Sequence, residues 1–152
     1  MDSERKPKNV GRHENRAAAM QFLYMRDLNG GRSLGDSLDA FFETKDNDRS
    51  FYAFAEELVA GVDAHAKEID RTISESATNW SIDRIAKVDL AILRLAVFEL
   101  LHRDDIPPVV SINEAVDLAK EYSSSEARRF VNGVLDRVKN TLTRPLKTAN
   151  GK

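Results

Sequence analysis

Apolar residues recur every three to four positions along most of this chain, and no stretch alternates apolar and polar residues as a half-buried strand does. The pattern is densest over residues 82–102, IDRIAKVDLAILRLAVFELLH. Only a narrow polar stripe interrupts it, so this segment is predicted to form one central helix that neighbours cover on most sides. Ser81 is its predicted N-cap, and Pro107 with Pro108 ends it.

The same periodicity predicts six further helices around the central one. Their approximate bounds are residues 10–28, 34–43, 51–62 and 64–77 before the central helix, and 111–122 and 126–143 after it. Ser111 and Glu114 have the spacing of a capping box that starts the sixth helix, and the serines at 123–125 offer a cap for the seventh. Gly133 in mid-helix predicts the close approach of a neighbouring backbone, and Trp80 is expected in the core.

These elements predict an all-α fold, a compact bundle of about seven helices. We expect one domain over residues 10–145, with a flexible basic arm at 1–9 and a flexible tail at 146–152. A chain of 152 residues can bury a proper core without disulfides. It has no cysteine, no apolar run long enough to span a bilayer and no secretory signal, so a soluble protein in the cytoplasm is expected.

Charge is distributed unevenly along the chain. Residues 1–16 carry five Lys/Arg against three Asp/Glu, and residues 126–152 carry seven against two, so the ends have net charges of +2 and +5. The middle, 17–125, carries eleven against twenty, for a net charge of -9. Basic ends of this kind either bind a polyanion or serve only to keep the protein soluble.

Catalytic chemistry has little support in the sequence. The three histidines fall on different predicted elements with no ligand spacing between them. Gly30-Gly31 lacks the lysine and hydroxyl residue of a phosphate-binding loop. No enzyme activity, metal or cofactor is therefore predicted.

Charged residues on the covered faces of the central helix need partners, because an unpaired ionised group is costly to bury. Asp89, Arg94 and Glu99 are expected to find those partners inside the bundle. For Asp89 a second interpretation is that its carboxylate faces a protein partner.

The basic residues near the N-terminus suggest a contact with nucleic-acid phosphates. Arg12, His13 and Arg16 lie at the start of the first helix, where Arg12 and Arg16 are predicted to share one face. Arg5, Lys6 and Lys8 on the arm add to this charge.

A second candidate contact lies near the start of the last helix. Arg128 and Arg129 are followed by Phe130, on which an unpaired base could stack, and by Asn132, whose amide could read a base edge. The alternative interpretation is that Phe130 is buried in the core and that the two arginines form a solvated face.

Three blocks of sequence resemble the NusB family of bacterial transcription antitermination factors: RHENRAAAMQFLY, DLAILRLAVFEL, and VSINEAVDLAKEY with RRFVNGVLD. They stand in the family's order over essentially the whole chain. The resemblance implies two small helical subdomains and a non-catalytic role. It also implies binding to single-stranded boxA-type RNA of ribosomal leaders, together with ribosomal protein NusE, in an antitermination complex that modifies elongating RNA polymerase.

The resemblance assigns roles to individual residues and leaves oligomeric state open between monomer and homodimer. The implied RNA contacts are Arg12, His13, Arg16, Tyr24, Glu126, Arg129 and Phe130, and the implied NusE-facing acidic positions are Asp83 and Asp89. Three other functions stay open. They are a NusB-like module of a ribosomal RNA methyltransferase, a helical protein-interaction adaptor without specific RNA binding and, ranked last for lack of a site, a small helical enzyme.

Overall fold

Seven α-helices form the structure, a computed structural model that describes residues 8–142, with side chains from residue 11. They are α1 Lys8–Asn29, α2 Leu34–Phe42, α3 Ala53–Ala64, α4 Ala66–Ser76, α5 Lys87–His102, α6 Pro108–Tyr122 and α7 Ser125–Lys139. Short 3-10 helices, Arg49–Tyr52 and Ile82–Arg84, precede α3 and α5. The described range contains no β-strand, so the all-α prediction is confirmed. None of its helices combines the length and apolar character that crossing a bilayer requires.

Helix α5 is the centre of the fold, as its apolar pattern predicted. From Asp89 to Leu100 every residue except Arg94 is buried. Helices α1, α3, α4, α6 and α7 all pack directly against α5. Because five helices cover it, its sequence is apolar on almost every face.

Helix α1 runs antiparallel to α5 and is fixed by polar side chains as well as by apolar packing. Arg16 near its start pairs with Glu99 near the end of α5, and Asp27 near its end pairs with Lys87 at the start of α5. The buried Asn15 joins α1 to the start of α3, because its Oδ1 accepts from the Ala55 amide at 2.8 Å and its Nδ2 donates to the Phe51 carbonyl.

The central segment is not one helix from residue 82, so that prediction is wrong. Ile85 and Ala86 adopt extended backbone conformations, with ψ of 131° and 141°, and they separate the 3-10 helix from α5. Ser81 makes no side-chain cap. Ile85 is buried in the core. Because its backbone is extended, its side chain reaches the core without belonging to the apolar face of either helix.

Helix α6 starts three residues earlier than expected, at Pro108, since proline suits the first turn of a helix. The predicted capping box is therefore wrong. Ser111 is buried and its hydroxyl donates to Glu99 at 2.7 Å, while Glu114 accepts from His13. Both polar side chains serve contacts between helices instead of a helix end.

Close backbone approach occurs at Gly61 and not at Gly133. Nothing lies within 4 Å of the position a Gly133 Cβ would occupy, so that prediction is wrong. A Cβ on Gly61 would overlap the ring of Phe98. The missing side chain on α3 is what lets Phe98 of α5 pack against the α3 backbone.

Two local signals for helix ends are confirmed, whereas α3 and α4 begin two residues later than predicted and α7 ends at Lys139 instead of residue 143. Ser124 caps α7 by accepting from the Ala127 amide, and positive φ angles at Gly30 and Gly31 follow α1. Lys8 already belongs to α1, so the predicted arm at 1–9 is too long. Residues 1–7 lie outside the described residues, as do the predicted tail and the proline expected to stop α7.

Candidate nucleic-acid interface

Three arginines surround one aromatic ring where α1 begins and α5 ends. The guanidinium carbons of Arg12, Arg16 and Arg103 lie 4.2, 5.2 and 5.5 Å from the centroid of the Phe54 ring. Attraction between a cation and the ring face holds each group in place. This group of four residues is here called the arginine stack, and two of its arginines are paired with carboxylates, Arg16 with Glu99 and Arg103 with Asp105.

Arg16 is the buried member of the stack and belongs to the core. It is 3% exposed, and it donates from Nε and Nη2 to the two carboxylate oxygens of Glu99 at 2.8 and 2.9 Å. Arg12 and Arg16 do share one face of α1, as predicted, since both guanidinium groups lie over the Phe54 ring, but Arg16 is buried there. The expected internal partner for Glu99 is confirmed, and Arg94 likewise finds Asp70 at 2.9 Å.

Arg12 is the half-exposed member of the stack, and among the described residues it makes no hydrogen bond or ion pair. Burial, and then repulsion from Arg103 and Arg16, lowers the pKa of Arg12. Arg103 differs, because Asp105 accepts from its Nε and Nη2, both at 2.8 Å, and this lowers the pKa of Asp105 to about 2. Arg12 is therefore the arginine of the stack whose guanidinium group does not donate to a carboxylate, and it is the one available to a phosphate.

A row of polar and aromatic side chains follows the contact between α1 and α6, here called the seam. His13 Nδ1 lies 2.8 Å from Glu114, and its Nε2 lies 3.3 Å from Glu121. The hydrogen bond to Glu114 is the largest cause of a raised pKa at His13. Further along, the Gln21 amide reaches the Tyr122 hydroxyl at 3.5 Å.

Two tyrosines add aromatic surface along the seam. Tyr24 stands eleven residues, or about three turns, after His13 and therefore on the same face of α1; it is half-buried against the core. Tyr122 was not predicted as a site residue, yet it is 44% exposed at the end of α6. One indication of this is present in the sequence, because Tyr122 follows the apolar pattern of the sixth predicted helix and directly precedes the serines at 123–125.

At the other end of α5 a groove of about 320 Å³ opens between the start of α5 and the start of α7. Phe130 lines it and meets Trp80 edge to face, with ring centroids 6.4 Å apart. Trp80 is 49% exposed, so its predicted place in the core is wrong. The other lining residues include Arg84, Asp89 and Glu126. Predicted RNA contacts and a predicted partner contact therefore share one groove.

Asp89 is the unusual residue of this groove. It is 8% exposed, and its buried Oδ1 has no hydrogen-bond partner. Asp89, Arg94 and Glu99 were all predicted to find partners inside the bundle. For Asp89 Oδ1 that prediction is wrong, whereas Arg94 and Glu99 do find them. Asp83, the other predicted partner contact, is exposed on the 3-10 helix before α5.

The remaining predicted residues of α7 point away from this groove in different directions. Arg129 and Asn132, three positions apart, are exposed on one side of the helix, and Arg128 is half-buried. No described acidic side chain forms an ion pair with Arg129. The solvated-face interpretation fits Arg129 better than Arg128, and Phe130 is half-buried instead of wholly buried.

The two predicted basic groups lie at opposite ends of the central helix. Arg12 stands beside Arg103, just past the end of α5, whereas α7 begins beside Asp89 in the first turn of α5. A helix of 16 residues is about 24 Å long, so the groups do not form one compact patch. The seam connects them.

Histidines that are distant in sequence also meet. His65 and His102 stack with ring centroids 3.8 Å apart, beside Glu68. Neither histidine was predicted to be a ligand, because the two stand on different elements with no ligand spacing along the sequence. A larger groove of about 450 Å³ between α1 and α2 contains none of the predicted site residues.

Comparison with known proteins gives consistent matches over most of the chain. The pattern of the NusB family matches residues 13–140. The transcription antitermination protein NusB of Geobacter sp. (strain M21) is 44% identical over 139 residues, which cover 87% of this chain and 96% of the relative. The protein of the same name from Myxococcus xanthus (strain DK1622) is 42% identical over 137 residues, with 88% and 98% covered.

Solved structures agree with the sequence matches. NusB in a crystal structure of antitermination factors NusB and NusE in complex with dsRNA superposes with a TM-score of 0.78 and 33% identity, over 88% of this chain and 98% of that one. T. maritima NusB gives a TM-score of 0.79 and 31% identity, over 92% and 95%.

Proposed function

This chain belongs to the NusB family, and from that premise we propose that it is a non-catalytic, cytoplasmic transcription antitermination factor. It binds boxA-type ribosomal RNA leader sequence together with ribosomal protein NusE, and through them it modifies elongating RNA polymerase. The observation that carries this proposal is the match to NusB in a complex with NusE and RNA, over 98% of that chain. The names of the relatives favour this function over a methyltransferase module.

RNA binds along the seam, with its phosphates held at both ends. Arg12 supplies a cation without a bound carboxylate at one end, and Arg129 supplies an exposed cation beside the N-terminus of α7 at the other. Between them Tyr24 and Tyr122 offer ring faces to unpaired bases, since base stacking on aromatic rings tolerates many sequences.

Other predicted contacts contribute in different ways. His13 adds charge to the seam when protonated, and Asn132 and Arg128 border the exposed side of α7. Arg16 contacts Glu99 and the Phe54 ring from within the core and does not touch RNA. Glu126 and Phe130 shape the groove beside α7.

The protein partner occupies the groove at the start of α5. Its rim carries the exposed Trp80, and its wall carries a carboxylate oxygen that lacks a hydrogen-bond donor. A buried acceptor without a donor is costly, and a partner arginine or lysine in the groove would satisfy it. Asp83 on the neighbouring 3-10 helix extends the negative charge of this face.

Binding assays with NusE and RNA test both surfaces at once. We would measure the affinity of the full chain for boxA-type RNA and for an unrelated RNA of equal length, each single-stranded and double-stranded, with and without NusE. The proposal expects tighter binding of the single-stranded boxA-type sequence and a further gain with NusE. Equal affinity for all RNAs, with NusE still bound, would instead identify an interaction adaptor.

Variants separate the two surfaces. Arg129→Ala and Tyr122→Ala should weaken RNA binding but leave direct NusE binding unchanged. Asp89→Asn should weaken NusE binding about tenfold, or 1.4 kcal/mol, while leaving the isolated protein folded, because Asp89 makes no internal contact through Oδ1. Unfolding of Asp89→Asn would show a structural role and contradict the partner assignment.

A further inference from the structure

Three possible metal ligands meet where the junction of α3 and α4 lies beside the end of α5. Nδ1 of His65, a carboxylate oxygen of Glu68 and Nε2 of His102 all lie within 4.8 Å of one another. In the described part of the chain, no other group of three histidine, cysteine or acidic residues is arranged to hold an ion. Two imidazole nitrogens and one carboxylate are a ligand set typical of zinc.

The close packing of α3 on α5 produces this convergence. Phe98 packs against Gly61, and one turn further along each helix stand His65 and His102. Their rings stack at 3.8 Å above Phe98, whose ring centroid lies 6.1 and 5.7 Å from theirs. A side chain at position 61 would force the two helices apart and separate the histidines.

Hydrogen bonds to α3 and to α4 fix the backbone of His65. Its amide donates to the Gly61 carbonyl in the last turn of α3, and its carbonyl accepts from the Ile69 amide in the first turn of α4, each at 3.0 Å. Glu68 follows three residues later on the same face of that turn. Two of the three ligands therefore need little backbone ordering when an ion binds.

The spacing between ligand atoms suits a transition metal. Tetrahedral bonds of about 2.1 Å place neighbouring ligand atoms about 3.4 Å apart. Glu68 Oε1 lies 3.7 Å from His65 Nδ1, close to that value, and 2.7 Å from His102 Nε2, a hydrogen bond that opens when an ion takes the place of its proton. With only one oxygen donor, the group suits Mg²⁺ and Ca²⁺ poorly, because these ions prefer six or more oxygens.

We propose that His65, Glu68 and His102 form a binding site for one divalent transition-metal ion, with Zn²⁺ as the expected ion and water as the remaining ligand. Side-chain exposures of 41%, 41% and 28% leave an open path to solvent. The bound ion links the junction of α3 and α4 to the last residue of α5, which adds a cross-link between the two halves of the chain. This inference does not depend on RNA or NusE binding.

Zinc titration of the untagged full-length protein tests the site. The chain has three histidines and no cysteine, so few other side chains compete for the ion. Calorimetry and competition with a chromophoric chelator should show one Zn²⁺ per chain, and Tm should rise with added Zn²⁺ but not with added Mg²⁺. Absence of saturable binding at one ion per chain would overturn the proposal.

Matched variants distinguish this site from general histidine binding. His65→Gln, His102→Gln and Glu68→Gln should each weaken Zn²⁺ binding at least tenfold and abolish the rise in Tm. His13→Gln removes the remaining histidine, on α1, and should bind Zn²⁺ as the unmodified protein does. The proposal is wrong if His13→Gln loses as much affinity as His102→Gln. Three separate ligand variants, each checked for helical circular dichroism, keep the result interpretable if one of them misfolds.

Discussion

Arg16 and Glu99 show at the scale of single residues how a charge can be structural. Their two parallel hydrogen bonds lie inside the bundle, and Ser111 donates a further one to the same carboxylate. A buried ion pair contributes little net stability compared with apolar packing, but the loss of one partner leaves the other charge buried. The pair therefore fixes how α1, α5 and α6 are aligned.

Replacement of Arg16 by methionine should destabilise the protein by roughly 3 to 5 kcal/mol, because it leaves the Glu99 carboxylate buried without its guanidinium partner. Chemical denaturation with urea measures the free energy of unfolding. Arg26→Met is the matched control, since its pair with Asp63 is exposed and should contribute no more than about 1 kcal/mol. Similar losses for the two variants would contradict a structural role for Arg16.

His13 should make stability depend on pH. The hydrogen bond to Glu114 raises the pKa of His13 above its ordinary 6.5 in the folded state. The stability that the protonated His13 contributes is therefore fully present below the ordinary pKa, and it is lost as the pH rises through the raised pKa of the folded state. The stability difference between the unmodified protein and His13→Gln should shrink as the pH rises from about 6 to 9.

Urea denaturation at several pH values measures this difference for His13. Glu114→Gln provides the control, because it keeps the shape of the acceptor but removes its charge, and His13→Gln should have a smaller effect in that background. A stability difference that stays constant across this pH range would show that the contact does not raise the pKa. The effect is modest, because the His13 side chain is 34% exposed.

At the scale of helices, two glycines in helix interiors have opposite roles. Gly61 provides the space that Phe98 occupies, whereas the space around Gly133 is open. Both carry the backbone entropy cost of glycine in a helix. Each glycine lies within a sequence that predicts a helix, so the local sequence does not tell their roles apart. The neighbouring helix that packs closely against Gly61, and not against Gly133, does.

Alanine substitutions should separate these roles. Gly61→Ala should destabilise the protein by about 1 to 3 kcal/mol, because the new Cβ must displace the Phe98 ring. Gly133→Ala should stabilise it by about 0.5 to 1 kcal/mol through helix propensity alone. Thermal and urea denaturation of both variants measure the effect. Equal changes of the same sign would mean that α3 and α5 do not pack as closely as described.

At the scale of the whole molecule, the separation of the two basic groups has a consequence for RNA binding. About 24 Å of α5 lies between Arg12 and the start of α7. Phosphates bound at the two places interact with different cations and share no ion pair. Their contributions should therefore be independent.

The effects of Arg12→Ala and Arg129→Ala on RNA affinity should add within about 0.5 kcal/mol in the double variant. Each single variant should also reduce the slope of log affinity against log salt by about 0.7, the value for one neutralised phosphate on a single strand. Salt-dependent filter binding measures both quantities. Arg71→Ala on α4, away from the seam, is the control and should leave the slope unchanged. Strong non-additivity would indicate one compact cationic patch.

Helix type and approximate position followed from the sequence alone, because a stripe of apolar residues every three to four positions can be buried only by a helix. The central place of α5 followed for the same reason, since a helix that is apolar all round needs neighbours on every side. Ser124 as the cap of α7 and the glycine turn after α1 were also local signals, which depend on a few adjacent residues.

The tertiary structure alone decided which polar side chains face inward and which residues meet. Ser111 and Glu114 have the spacing of a capping box, yet Glu99 and His13 compete successfully for them. Arg16 is basic and near the basic N-terminus, yet it is buried, while Trp80 is apolar and exposed. His65 and His102 stand 37 positions apart and become neighbours only because α3 packs against α5 at Gly61. Periodicity records which face of a helix is buried, but hydrogen bonds and ion pairs between helices depend on the partner that each face meets.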